Sequence, residues 1–165
     1  MVDYRRQRGF VLIATCIALV ILMAVAALGI DLGRMYLIRS ELQSFADAAA
    51  LSAALRLDGT DQGLASARTA PAALTAGPNA MKWNMGTEPI TDIAMTFAKG
   101  DDVAATTTWE TSPKNPAECR LVRVVASAKA PLTFLRVFEP FKADVQLVAA
   151  AGVAMKTDQS ARLME

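Results

Sequence analysis

Phe10 to Leu57 reads FVLIATCIALVILMAVAALGI (10–30) and then DLGRMYLIRSELQSFADAAALSAALRL (31–57). Between Phe10 and Ile30 no side chain is charged. As a helix, this run is about 30 Å long at ~1.5 Å per residue, the thickness of a bilayer's hydrocarbon core. The expectation is a membrane-spanning segment. Upstream stand Arg5, Arg6 and Arg8, and downstream the mixed charges Asp31, Arg34, Arg39 and Glu41. That arginine bias places the N-terminus on the cytoplasmic side. No proline interrupts residues 10–57, and the only glycines inside are Gly29 and Gly33. One helix is therefore predicted to run several turns past the membrane.

Along that extension Leu28, Leu32, Met35, Leu42, Ala46, Ala49 and Ala53 recur in steps of three and four, with Arg39 at the missing step. The stripe is heptad-like. Two readings stay open: it packs on the chain's own head, or on a partner helix. Gly29 and Gly33 form a G-x-x-x-G pair, and Ala14/Ala18, Ala46/Ala50 and Ala50/Ala54 repeat the spacing of small residues that lets backbones approach closely. The candidate helix–helix interface is thus Gly29, Gly33, Leu42, Phe45, Ala46, Asp47, Ala49 and Ala53. Asp31 has Arg34 at i+3, whereas Asp47 has no cation three or four residues away on its own helix. Asp47 is either a solvated acid or a contact to another helix, where Arg34, Arg39 or Arg56 of a neighbour would answer it.

At 165 residues the chain has room for one anchor and one modest head. Its 53% apolar content is concentrated near the N-terminus. Seventeen Lys and Arg nearly cancel sixteen Asp and Glu, so no overall field gathers nucleic acid. Histidine is absent, which removes the commonest general base and metal ligand. Cys16 lies inside the apolar run and Cys119 far downstream, so an intrachain disulfide is not expected. Asp101-Asp102 and Asp58-x-x-Asp61 lack the ligand spacing of a calcium loop, and no nucleophile motif or glycine-rich phosphate loop is present. The reading is no enzyme, with no catalytic, cofactor or metal residue to name and no small-molecule substrate.

Asp58-Gly59-Thr60-Asp61 ends the long helix with a turn signature. Residues 61–75 are predicted to form a short helix weakened by Gly63 and Pro71, and Gly77 to Pro89 a loop around Trp83. Ile93–Ala98, Leu121–Ala128 and Ala143–Val153 alternate as half-buried strands, with a fourth over Thr106–Trp109. Val122, Val124 and Ala126 supply the inner face, while Arg120, Arg123 and Lys129 keep an edge polar. Between the last strands, Pro131 to Phe138 is unusually apolar; it caps the core, or else Phe134, Leu135 and Phe138 form an exposed patch that meets a partner or the membrane surface. The fold class is α+β, with a long N-terminal helix against a small antiparallel sheet. Its divisions are a basic leader (1–9), membrane segment (10–30), helix extension (31–57), short helix and loop (58–90), β head (91–156) and tail (157–165).

Three processing routes bear on the leader. Ala24-Val25-Ala26 fits a secretory cleavage site, but apolarity continues to Ile30. Arg8-Gly9-Phe10 resembles a site cut by prepilin peptidases, but type IV pilins carry glutamate at the fifth mature residue, where this chain has Ala14. A lipoprotein box ending at Cys16 would have threonine before the cysteine. An uncleaved anchor is the expectation.

Arg8-Gly9-Phe10, then GIDLGRMY (29–36), then ELQSFADAAALSAA (41–54) resemble the N-terminal region of TadG-like proteins of the Tad (Flp-type) pilus system. The head, through Cys119–Ala128, Ala130–Leu135 and the final Ala-rich strand, is similar to that family and to the related TadE-like group. The resemblance implies a pilin-like head and a non-enzymatic structural subunit of a Tad-like pilus or secretion system. It also implies a bacterial inner-membrane anchor, a cytoplasmic N-terminus, a periplasmic or extracellular head, and other pilus-system proteins or copies of the chain as partners. The alternatives are a filament-forming subunit whose helices bundle in a polymer core, and a tethered periplasmic binding or chaperone-like module.

Overall fold

The computed structural model describes residues 4–100, 103–104, 107–131, 134 and 145–156. Helix α1 runs from Tyr4 to Ala54, 51 residues, or about 77 Å at ~1.5 Å per residue. It begins inside the basic leader and stops three residues short of the expected end, because the chain turns through Leu55–Leu57 and then Gly59 at φ +88°. Its N-terminal half is long and apolar enough to cross a membrane, and none of its most apolar window is buried by the rest of the protein.

Two short helices follow where one was expected: α2, Asp61–Arg68, and α3, Ala70–Thr75. Thr60 caps α2 by accepting the Gly63 amide at 3.0 Å. Pro71 falls in the first turn of α3, where a missing N–H costs nothing, so it starts a second helix rather than weakening the first. The expected loop at 77–89 holds a small hairpin, β1 (Lys82–Trp83) with β2 (Glu88–Pro89). Its turn needs left-handed backbone at Asn84 (φ 57°), Met85 (φ 58°) and Gly86 (φ 76°), and Trp83 Nε1 closes it on the Pro89 carbonyl at 2.9 Å.

The main sheet has the order β3-β4-β5, antiparallel throughout, with β3 at Asp92–Lys99, β4 at Cys119–Pro131 and β5 at Val145–Met155. The fold is α+β, as read from the sequence. Strand β4 extends to Pro131, taking in residues assigned to the connection, while Ala143 lies outside the described residues. The fourth strand does not form over the described part of Thr106–Trp109. Thr107 is committed to a local turn with Ala104, its hydroxyl accepting the Ala104 amide at 2.9 Å. Trp109 instead stacks on the Arg123 guanidinium at 4.7 Å. What remains of that strand is a single bridge between Phe97 and Glu110.

The core lies where the second half of α1 meets the sheet. Phe45, Leu42, Ala46, Ala49, Ala50 and Ala53 are fully buried there, with Phe97, Val122, Val124 and Ala126 opposite. Small side chains on α1 let the sheet come very close. Gly152, paired with Val124 in the register, lies so near α1 that a Cβ there would overlap the Ala46 carbonyl and stand 2.5 Å from the Asp47 nitrogen.

Candidate functional site

One helix carries all eight residues of the candidate helix–helix interface, so that site is defined by which face of α1 the head takes. The head covers Ile38, Leu42, Phe45, Ala46, Ala49 and Ala53 completely. Five of the eight expected interface residues, Leu42, Phe45, Ala46, Ala49 and Ala53, therefore have no surface left for a second chain. Within the chain these residues pack against its own head, Ala46 directly against the strand at Gly152. The upper stripe does not pack this way: Leu28 and Leu32 are exposed, and Met35 is half-buried.

Gly29, Gly33 and Asp47 lie on the other side. All three are exposed, together with Ser40, Ser44 and Leu51. At 3.6 residues per turn these positions form one stripe opposite the sheet. A Cβ at Gly29 or Gly33 would meet nothing within 4 Å, so the glycines do nothing for the chain's own fold. Asp47 is solvated and accepts the Gln43 amide at 2.8 Å; Gln43 also donates to the Ala151 carbonyl at 2.9 Å. Of the cations expected to answer Asp47 from a neighbour, Arg56 is engaged within the chain, donating to the Ser66 carbonyl at 3.1 Å. Arg34 is engaged too, donating to Asn84 Oδ1 through Nε at 3.2 Å and Nη2 at 2.9 Å. Arg39 is exposed.

The base of the head is clamped to α1 just past the apolar run. Glu41 accepts the Met85 amide at 3.0 Å, which holds the left-handed turn of the hairpin against the helix beside the Arg34–Asn84 bond. Asp31, 2% exposed, accepts the Phe134 amide at 3.0 Å. A buried carboxylate needs such donors, because desolvation without them costs several kcal/mol. Phe134 itself is exposed and lies beside α1 at the end of the apolar run; Leu135 and Phe138 fall outside the described residues. Sequence reasoning missed these clamps. Asp31 read as locally neutralised by Arg34, and nothing local links position 31 to position 134.

At the far end of the head a cleft of about 340 Å³ is lined by Phe97, Lys99, Thr107, Glu110 and Cys119. Burial pushes the Cys119 thiol up, away from the reactive thiolate. Lys99 is paired with Glu118, whose carboxylate holds the ammonium above its ordinary range. Neither group is poised as a nucleophile or base. Among the described residues no three His, Cys, Asp or Glu side chains gather as a metal site would require.

Residues 9–56 match the family described as "Tad: Putative Flp pilus-assembly TadE/G-like". Comparison with curated proteins and with solved structures gave no significant match. The matched segment starts at the first turn of the apolar run and ends in the turn that closes α1, so it contains both the face the sheet covers and the face it leaves open.

Proposed function

We propose, from the TadE/G-like segment at residues 9–56, that this chain is a non-enzymatic structural subunit of a Tad-like pilus or secretion system. Phe10–Ile30 holds it in the bacterial inner membrane with the N-terminus in the cytoplasm and the head outside. It assembles with copies of itself or with other pilus-system proteins through the open face of α1. The observation that carries this reading is the division of that helix: its own sheet occupies one face, while Gly29, Gly33 and Asp47 stand exposed on the opposite one.

In lipid, tails solvate leucine as well as protein does, so helix association depends on close backbone approach, which the glycine pair allows. Above the membrane, burial from water contributes ~25 cal/mol per Å², and Leu51, exposed on the same stripe, is the apolar residue placed to supply it. Asp47 meets Arg39 of the neighbouring chain, the cation of the three that the neighbour's own fold leaves exposed.

Replacing Gly29 and Gly33 together by isoleucine is expected to abolish crosslinked oligomers in membranes while leaving insertion intact. Unchanged oligomers in that double variant would move the contact to the head. The unbroken 51-residue α1 also favours a second reading, a filament whose core is a bundle of these helices. Shearing cells separates the two: a chain released with surface fibres is a filament subunit, and one retained in the membrane belongs to the assembly machinery.

A further inference from the structure

An apolar groove centred away from Gly29 and Gly33 runs along α1 beneath the head. Val20, Met23, Ala24, Ala26, Ala27 and Ile30 form one wall and Phe134 the other, around about 500 Å³. Ten residues separate Val20 from Ile30, so the groove follows roughly 15 Å of helix at ~1.5 Å per residue. Phe134 is fixed there by its backbone, whose N–H donates to the buried carboxylate of Asp31 at 3.0 Å. The residue is nevertheless 41% exposed.

We propose that Phe134 is a second membrane contact: the ring enters the outer leaflet beside α1, and the groove is filled by an acyl chain of the surrounding lipid. The inference rests on the reading that Phe10–Ile30 spans the bilayer. The groove's helical wall belongs wholly to that uncharged run, so whatever surrounds the run also surrounds the groove. An exposed phenylalanine against it gains by leaving water for hydrocarbon. The Asp31 contact adds to this, because it satisfies a carboxylate and a backbone N–H at the depth where water runs out and an unmade hydrogen bond is most costly.

Lipid is the occupant favoured over a second copy of the chain. Gly29 and Gly33, which permit close helix approach, lie roughly a quarter of a turn or more from the middle of the groove around α1, which meets their face at Ala26. Ala24 and Ala27 are also already half-buried within the chain itself. The head is then seated on the bilayer at two points, rather than swinging from one.

The test places an environment-sensitive NBD probe at single cysteines in the full chain, reconstituted in phosphatidylglycerol/phosphatidylcholine vesicles, with Cys16→Ala as background and the buried Cys119 left in place. Phe134→Cys is the test position, Val20→Cys reports the anchor, and Lys114→Cys, exposed at the opposite end of β4 from Pro131, reports water. The probe at 134 is expected to be quenched by doxyl-labelled lipids to within about two-fold of the probe at 20, and to resist dithionite, while the probe at 114 is bleached. If 134 behaves like 114 while 20 stays lipid-quenched, Phe134 faces water; the proposal falls and the anchor stands. Protection from dithionite without lipid quenching means that protein covers the site, which also overturns it. An unquenched probe at 20 removes the anchor reading and this proposal with it. Phe134→Trp, which keeps the bulk of the ring, gives an independent reading: brominated lipids should quench it well beyond the parent signal of Trp83 and Trp109, and equal quenching would count against the lipid contact.

Discussion

At the level of single residues, glycine plays opposite parts in two places. Gly152 is fixed by its own chain: a Cβ there would run into the Ala46 backbone, so the separation of helix and sheet is set by the absence of a side chain. Gly29 and Gly33 have open space around them, so any constraint on them comes from outside the chain. Gly152→Ala is therefore expected to destabilise the head by about 1–3 kcal/mol, as overpacking does, whereas Gly29→Ala leaves the fold within about 0.5 kcal/mol. Urea titration of both variants in micelles, followed by near-ultraviolet circular dichroism, checks this. Equal stabilities would mean that the helix and sheet do not meet at Ala46.

Among the elements, α2 has a start that depends on a titratable side chain. Asp58 accepts both the Thr60 amide at 2.8 Å and the Thr60 hydroxyl at 2.7 Å, and Thr60 in turn caps α2 at Gly63. Gly63 is confined because a Cβ there would overlap the Asp58 carboxylate. The Thr60 hydroxyl, followed by its amide, holds the Asp58 carboxyl below its ordinary value of 3.8. A depressed carboxylate pKa contributes stability that is complete above the ordinary value and is lost as pH falls through the lower, folded one. The expected result is a wild-type head that loses part of its α2 cap only below about pH 4, while Asp58→Asn, which cannot titrate, shows a shallower loss over that range. Amide exchange at Gly63 and Leu64 between pH 2 and 5 reads it; identical slopes in both proteins would remove Asp58 from the cap. Thr60→Ala should cost about 1 kcal/mol at neutral pH, where the cap is intact.

For the whole molecule, the clamps at Asp31, Arg34 and Glu41 place the head directly above the apolar run of α1. In the proposed orientation, with the N-terminus in the cytoplasm, everything after about Asp31 is expected to lie outside. A tag on the head should be reachable in intact spheroplasts, and one reachable only from the cytoplasm would reverse the orientation. Cys119 is 1% exposed, and burial raises its thiol pKa. It should therefore resist a membrane-impermeant thiol reagent in the folded protein and react once the head is unfolded. Reaction at the same rate before and after unfolding would contradict the packing of β4 against the rest of the head.

The sequence alone determined the elements with a strong period or none to compete with it. An uncharged run of bilayer length reads as a membrane-spanning candidate from its length and composition alone, and strands alternating as Ile93–Ala98 and Leu121–Ala128 do have one buried face whatever they pack on. Thr106–Trp109 misled because β-propensity there is opposed by a local threonine turn and by the Trp109–Arg123 stack, neither of which has a periodic signature. The hairpin at Lys82–Pro89 was hidden for a related reason: its turn uses left-handed Asn84 and Met85, which read simply as loop. Only the tertiary structure decided what the small residues of α1 are for. Spacing of the Ala46/Ala50 and Gly29/Gly33 kind says that something comes close to a helix backbone, but not what. Ala46 turned out to face the chain's own strand at Gly152, about a hundred residues away, and Ala50 to be buried in the same core, while Gly29 and Gly33 were left facing outward. The same holds for Asp31, whose burial depends on an amide at position 134; a contact made by folding at that distance leaves no mark in the residues on either side of it.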